Sequence, residues 1–257
     1  MSVLIDPPRW PAHGRLFSHL VSDTSLAELH TLARAVGLSE RAFEGDHYDV
    51  PEERYAACVA AGALPVSGTE LARRLRDSGL RFRKRRGERP LARVENGLSA
   101  VTAAPHTLDV IASPFEREDA RAAVVLVRAE DRMVLVRNAS RPGWAPPGGK
   151  VDPGETVRQG AVRELREETG LVLDPAALEP VGHERITVPD LAGVDPAPFE
   201  TGVNHLAVYA AYLDDAVPVA SQVPDVLEAA WFPREEAARH SSAEPWWPIV
   251  QWWWERG

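Results

Sequence analysis

Three glutamates at positions 164, 167 and 168 fall within five residues of one another. At about 100° per residue in a helix, they would lie near 0°, 300° and 40°, so their carboxylates would share one face. Like charges at this spacing repel unless a cation lies among them. Mg²⁺ prefers a few carboxylates together with water and phosphate oxygens. The spacing therefore predicts a divalent-metal site that receives a phosphate group.

The element that must carry these glutamates is a helix over Thr156–Thr169. This stretch contains one glycine and no proline, and Gly170 follows where a left-handed residue would end a helix. Ala161, Val162 and Leu165 form an apolar stripe beside the acidic face. We expect that stripe to pack on a sheet, with the carboxylates left at its margin.

The residues around the helix suggest supporting roles. Arg163 is placed to pair either with Glu167 on the next turn or with Glu155 in the preceding loop. That loop, residues 143–154, is rich in glycine and proline, so its backbone can approach a metal or a phosphate closely, and the carbonyl of Gly149 is a candidate ligand. Lys150 is a candidate phosphate contact, with a solvated loop lysine as the alternative.

Residues 149–171 read Gly149-x5-Glu155-x7-Arg163-Glu164-Leu165-x-Glu167-Glu168-x-Gly170-Leu171. This pattern fills every fixed position of the Nudix box, and residues from about 120 to 257 resemble the Nudix hydrolases. The resemblance implies an α+β fold with a mixed sheet sandwiched between helices. It also implies metal-dependent hydrolysis of the diphosphate bond in a nucleoside diphosphate linked to another group, X.

The resemblance also assigns roles by position. Glu164, Glu167 and Glu168 would bind Mg²⁺ or Mn²⁺ together with the Gly149 carbonyl, with Glu164 or a later carboxylate as general base. The candidate later carboxylates are Glu228, three residues before a strand tryptophan, and its rival Glu200; an exposed acid is the alternative for both. The substrate-binding candidates are Lys150 and Arg163, and Arg163 and Glu155 would also be structural partners.

Signals for the identity of X are weak. The proline and tyrosine that are typical of two Nudix subfamilies would follow the box where this chain has Ile186 and Val188. A Nudix-like isomerase would need a cysteine in the same domain, and the one cysteine, Cys58, precedes it. The sequence thus favours a hydrolase without indicating its substrate.

Charge divides the chain into two parts. Residues 1–86 hold 13 basic and 11 acidic residues, which gives +2, and the remainder holds 16 and 27, which gives −11. We predict a small α/β domain at 1–86, a linker at 87–119 and the Nudix domain at 120–257. A strand hairpin within the linker, near residues 98–101 or 108–111, stays an open alternative.

The first part predicts a strand at residues 2–5 and three helices in an alternating α/β order. The first is capped by Asp23, Thr24 or Ser25, the second begins at Pro51, and the third is capped by Ser67 or Thr69. The second helix should face inward through four residues: Tyr55, Ala56, Val59 and Ala60. Residues 2 to about 82 resemble a small domain of unknown function that precedes Nudix domains, and the resemblance implies no activity.

Several histidines and aspartates of this first part lie in segments that we predict to be loops. They are His13, His19, His47, Asp6, Asp23, Asp46 and Asp49. Metal or phosphate binding and ordinary turn capping are equally open for them. The basic run 81–86 predicts either a polyanion contact, with Phe82 stacking on a base, or a solvated helix end.

Composition limits the classes of protein. The net charge is 29 minus 38, or −9, and no apolar run approaches 18 residues, which argues against a membrane-spanning or secreted chain and for a cytoplasmic one. Acidity disfavours broad nucleic-acid binding.

Five of eight tryptophans lie in the last twelve residues, which predicts a closing helix on the sheet or an interface, including a homodimer. A nucleotide-sensing regulatory module, with a partner-binding first domain, is the alternative function.

Overall fold

A computed structural model describes residues 2–39 and 42–256, and the chain divides into two units, Met1–Arg85 and Arg86–Gly257. The first unit contains β1 (Val3–Ile5), β2 (Trp10–Ala12), β3 (Arg15–Ser22), α1 (Leu26–Ala35), β4 (His47–Pro51), α2 (Glu52–Ala60), β5 (Leu64–Pro65) and α3 (Gly68–Asp77). Its five strands form one sheet in the order β2-β3-β1-β5, with β4 on β3. Helices α1 and α2 pack on one face and α3 on the other. The predicted α/β character of this unit is confirmed.

The first and third helices of the first unit each begin at one of their predicted caps, and the second follows Pro51 as predicted. Ser25 caps α1 and Ser67 caps α3 through their side chains, because each hydroxyl accepts a hydrogen bond from a backbone N–H of the first turn. The predicted inward face of α2 is wrong in part: Cys58 is buried, whereas Ala56 and Ala60 are exposed. An alanine-rich helix carries little amphipathic signal, so its inner face could not be assigned.

The prediction that seven histidines and aspartates lie in loops is confirmed for Asp6, His13, Asp23 and Asp46 and wrong for the other three. His19 lies on β3, and His47 and Asp49 lie on β4. The alternation of apolar and polar residues is weak in both strands, so the two-residue period that indicates a strand is not evident in the sequence. Phe82 is buried, with 4% of its surface exposed, and is not available to stack on a base.

The second unit contains β6 (Arg89–Glu95), β7 (Thr107–Ala112), β8 (Ala122–Ala129), β9 (Arg132–Asn138), β10 (Gly148–Lys150), α4 (Val157–Thr169), β11 (Glu179–Val188), β12 (Gly202–Leu213), β13 (Val226–Pro233), α5 (Arg234–Ser241) and α6 (Trp247–Trp254). The strand order is β13-β9-β8-β12-β11-β7-β6, with β10 on β8. Strands β8 and β12 are parallel and their other pairings antiparallel, so the sheet is mixed as predicted.

Helices cover both faces of this sheet, and β8 is therefore buried on both faces. Val125 and Val127 point to the core under α4, whereas Leu126 points to the core under α5 and α6. Such a near-continuous apolar strand is typical of a central position in a sandwich. The predicted arrangement of a sheet between helices is therefore confirmed.

The segment 87–119 was predicted as a linker, and here the structure differs. Strands β6 and β7 lie within it, and β7 pairs with β11 over six residues. The strand alternative near residues 108–111 is the one that occurs, whereas residues 98–101 form turns. The prolines and charges of this segment obscure the strand pattern of β6 and β7, and β7 has a partner, β11, that lies some 75 residues further along the chain.

The tryptophan-rich end forms the predicted closing helix, α6. Trp247, Val250 and Trp253 of this helix are buried against the sheet, and the Trp253 indole N–H donates to Tyr212 Oη over 2.8 Å. The Trp253 ring is thus buried, and its N–H has a hydrogen-bond acceptor, within the second unit itself. Among the helices of the described ranges, none combines the length and apolar character that crossing a bilayer requires.

Replacing Leu165 with Ala should lower the free energy of unfolding of the second unit by about 3 kcal/mol, because this side chain is fully buried between α4 and the sheet. Urea unfolding of the full chain measures the change. Val172→Ala is the control, since 78% of that residue is exposed, and it should cost almost nothing. Equal effects of the two substitutions would contradict the packing of α4 described above.

Candidate active site

Helix α4 begins and ends as its sequence predicts. The Thr156 side chain accepts a hydrogen bond from Gln159 N, and Gln159 Oε1 accepts one from Thr156 N, which makes a complete capping box. Gly170 ends the helix with φ +78°, a left-handed conformation that glycine adopts without strain. Since Ala161 and Leu165 are fully buried, the glutamate-bearing face is held at the edge of the sheet.

The glycine-rich loop approaches this face through β10. Gly148 N donates a 2.8 Å hydrogen bond to Glu168 Oε2. Gly149 lies so close to Glu164 that a Cβ atom placed on it would be 2.5 Å from Glu164 Cδ. A Cβ at this position would require the Glu164 carboxylate to move. The loop backbone is thus in direct contact with two of the three carboxylates.

Arg163 links the loop to the helix through its whole guanidinium. Its Nε and Nη2 donate to the two oxygens of Glu155 at 2.9 and 3.1 Å, and Nη2 also donates to Lys150 O. Its Nη1 donates to Glu164 Oε1 at 2.9 Å and Glu167 Oε2 at 3.2 Å. Both predicted pairings of Arg163 therefore occur together, and all of its donor nitrogens are directed at the protein.

The carboxylates differ in their surroundings. Burial raises the pKa of Glu168 to about 7, the hydrogen bond from Gly148 opposes that shift, and the charge of Glu164 adds to it. Burial also raises the pKa of Glu164, against the opposing effect of Arg163. The side chain of Glu167 is 32% exposed. The acidic face thus holds negative charge at an energetic cost that a bound cation would relieve.

A hard divalent cation fits this set of donors, because every candidate ligand is an oxygen. In the described ranges, the oxygens of the three glutamates do not all come within 4.8 Å of one another. An ion bound to some of these carboxylates would complete its shell with water or phosphate oxygens, as Mg²⁺ commonly does.

The other predicted site residues are Glu228, Glu200 and Lys150. Glu228 pairs with Arg137 at 3.1 Å across β13 and β9, and Glu200 pairs with Arg121. Lys150 is exposed at the end of β10. Of the residues predicted from the sequence, the structure brings together Gly149, Arg163 and the three box glutamates, and it places Glu228 and Glu200 in ion pairs of their own.

Glu184 is a buried carboxyl group that sequence reasoning missed. It lies on β11 with 5% of its surface exposed, and within residues 2–39 and 42–256 its side chain forms no hydrogen bond or ion pair. Burial raises its pKa to about 7, opposed by the charge of Arg141, which also acts on Glu168. The sequence signal for it is an acid on the same face of the predicted strand as Gly182 and Ile186, which precede and follow it by two residues.

Replacing Glu184 with Gln should stabilise the protein above neutral pH. With its pKa raised from about 4.5 to about 7, the folded chain binds more protons than the unfolded chain in that window, so stability falls as pH rises through it. Gln carries no such penalty. The variant should match the wild type near pH 4.5 and exceed it by about 3 kcal/mol above pH 7.

Urea unfolding at both ends of this pH window measures the difference. Glu235→Gln, a change of the same kind at an exposed position of α5, should show no pH-dependent gap. A gap for Glu184→Gln that stays constant with pH would contradict the burial of a titrating carboxyl at this position.

Two families match this chain. Residues 117–253, which are 137 of the 257 residues, match the family described as "NUDIX domain". Residues 3–78 match a family described as "Protein of unknown function (DUF4031)". Both resemblances inferred from the sequence are confirmed.

The chain is also similar to individual proteins. "Uncharacterized Nudix hydrolase YvcI" of Bacillus subtilis (strain 168) is 40% identical over 48 residues, which are 19% of this chain and 30% of that protein. "Putative 8-oxo-dGTP diphosphatase" of the same organism is 45% identical over 47 residues, 18% of this chain and 32% of that protein. The chain thus spans about a third of the length of these relatives. A crystal structure of the Bacillus subtilis pyrophosphohydrolase BsRppH is 17% identical with a TM-score of 0.41, covering 62% of this chain and 96% of that one.

Proposed function

Because the chain belongs to the Nudix family, we propose that it is a metal-dependent pyrophosphohydrolase that cleaves the diphosphate bond of a nucleoside diphosphate linked to another group. The observation that carries the proposal is the contact between α4 and the glycine loop. Glu164, Glu167 and Glu168 share one helix face, and Gly148 and Gly149 bring the backbone against two of them.

In this proposal Glu164, Glu167, Glu168 and the Gly149 carbonyl would hold Mg²⁺ or Mn²⁺. Such ions, when bound, would neutralise the phosphate oxygens and lower the pKa of water. The fit rests on the oxygen-only donors and on the raised pKa values of Glu164 and Glu168. Arg163 is the positioning residue of the site, since it ties Glu164 and Glu167 to the loop through Glu155 and Lys150 O.

The general base is proposed to be Glu164. Its carboxylate is held between Arg163 Nη1 and the Gly149 backbone, within the group of residues that would hold the ions. Glu228 is the alternative base, and it would have to leave its ion pair with Arg137 to act. Lys150 is proposed to contact the phosphates, because its exposed ammonium extends from the loop that contacts the glutamates.

The substrate class follows from charge. The second unit is acidic, so an anionic substrate has to be received through cations rather than through a basic surface. A small nucleotide meets this condition, and a long nucleic acid does not. The single cysteine, Cys58, is buried and free, which agrees with the cytoplasmic setting that we propose for the enzyme.

A nucleotide panel with Mg²⁺ tests the proposal. The panel includes 8-oxo-dGTP, ADP-ribose and the ordinary nucleoside triphosphates. A triphosphate would release pyrophosphate with a nucleoside monophosphate, or phosphate with a nucleoside diphosphate, and ADP-ribose would release AMP with ribose 5-phosphate. We expect turnover of at least one member, lost on removal of the metal. Binding of a nucleotide without turnover of any member would support the nucleotide-sensing alternative instead.

A further inference from the structure

Three metal-ligating side chains meet on one face of the first unit's sheet. His19 on β3 lies directly opposite Asp49 on β4, and Val21 lies opposite His47. Since side chains alternate between faces, His19, His47 and Asp49 all point to the face that carries α3. Each offers a ligand atom, and these atoms lie within 4.8 Å of one another.

Two buried aspartates hold the imidazole rings in place. Asp6 Oδ2 lies 3.1 Å from His19 Nδ1, and Asp46 Oδ1 lies 2.5 Å from His47 Nδ1. Asp6 is itself fixed by the Trp10 indole N–H at 3.0 Å and by His19 N, and Asp46 by Phe82 N at 2.6 Å. With both Nδ1 atoms engaged by carboxylates, the Nε2 atoms are the ring nitrogens left to bind a ligand.

We propose that this unit binds a divalent transition-metal ion, with Zn²⁺ the best match, through His19 Nε2, His47 Nε2 and an Asp49 oxygen. Metal-ligating histidines usually donate their other ring N–H to a carboxylate, which is the role that Asp6 and Asp46 take here. His47 Nε2 lies 3.5 Å from Asp49 Oδ1. Ligand atoms around Zn²⁺ are about 3.4 Å apart, so the pair already has the separation that an ion would impose.

The donor set separates this site from the glutamate face of the second unit. Two imidazoles and one carboxylate suit Zn²⁺ and other transition metals, whereas oxygen-only sites suit Mg²⁺. Three protein ligands leave a coordination position for water or an anion. The side chains of His19 and Asp49 are 28% and 43% exposed, so that position is reachable from solvent.

The rival arrangement is an ion pair without metal. Burial lowers the pKa of His47, but its hydrogen bonds and charge interactions with Asp46 and Asp49 outweigh burial and raise the pKa to about 9. The same contacts would then be made by an imidazolium between two carboxylates. The two arrangements differ in whether a metal binds and in which residues its binding requires.

The experiment titrates the metal-stripped full chain with Zn²⁺ by calorimetry, in excess Mg²⁺ so that oxygen-donor sites are filled. Co²⁺ is used in parallel, because its visible absorption reports nitrogen ligands. We expect one Zn²⁺ per chain, with affinity lowered about 100-fold in His47→Gln and in Asp49→Asn. Asp49→Asn changes a partly exposed residue, so this variant should fold even if His47→Gln does not.

His13→Asn is the matched control. His13 is the exposed histidine of the turn between β2 and β3, with φ +50°, a conformation that Asn tolerates. This variant should bind Zn²⁺ as the wild type does. Unchanged binding in Asp49→Asn, or no Zn²⁺ binding in the wild type under Mg²⁺, would overturn the proposal and leave the ion-paired imidazolium. Because binding is measured without a nucleotide, the result is independent of hydrolysis by the second unit.

Discussion

Glu167→Gln is expected to lower kcat/KM for the best nucleotide substrate about 10³-fold, which corresponds to about 4 kcal/mol of transition-state stabilisation. The substitution keeps the shape of the side chain and leaves a carbonyl oxygen to accept the hydrogen bond from Arg163 Nη1. It removes one negative charge from the proposed metal-binding face. The fold should be unaffected, since this side chain is 32% exposed.

Steady-state kinetics at saturating Mg²⁺ measure the loss. Glu235→Gln provides the control, because it removes the same charge from the exposed start of α5 and should keep full activity. If Glu167→Gln retained more than about a tenth of the wild-type kcat/KM, the assignment of Glu167 as a metal ligand would be wrong.

Gly149→Ala is expected to lower kcat/KM by a similar factor, for a steric reason. The added Cβ would lie 2.5 Å from Glu164 Cδ and 2.6 Å from both of its oxygens, so the carboxylate has to move away from the loop. Arg163 Nη1, which holds Glu164 Oε1, would be displaced with it. We expect kcat/KM to fall about 10²- to 10³-fold, because a shift of about 1 Å is enough to disrupt a positioned site.

Gly154→Ala separates this effect from a general disturbance of the loop. A Cβ at Gly154 meets no atom within 4 Å, but its φ of +93° strains any other residue. This control should cost about 1 kcal/mol of stability and little activity. If both alanine variants lost activity in proportion to their loss of stability, the contact between Gly149 and Glu164 would not be the cause of the lower activity of Gly149→Ala.

The site helix could be predicted closely because its signals are local. Thr156 and Gly170 mark its ends within the sequence itself, and the spacing of Glu164, Glu167 and Glu168 fixes their common face. The network around Arg163 was also within reach, since its partner Glu155 lies only eight residues away. Such features require no knowledge of the tertiary fold.

What could not be predicted depends on pairing between distant segments. The segment taken as a linker contains β7, whose partner β11 is far along the chain. The cluster of His19 with Asp49 exists only through the register between β3 and β4, thirty residues apart. Register is set by the burial of whole faces and not by neighbouring residues, so histidines assigned to loops turned out to lie on adjacent strands.

The most direct test of the central claim is hydrolysis of the active panel member in ¹⁸O-labelled water, followed by ³¹P NMR, for the wild type and Glu167→Gln. We predict that the label enters a phosphate product of the cleaved diphosphate bond, that the reaction requires Mg²⁺ or Mn²⁺, and that the variant lacks this hydrolysis. Product formation that needs no divalent metal, or that is equal in wild type and variant, would contradict a metal-dependent pyrophosphohydrolase built on the glutamates of α4.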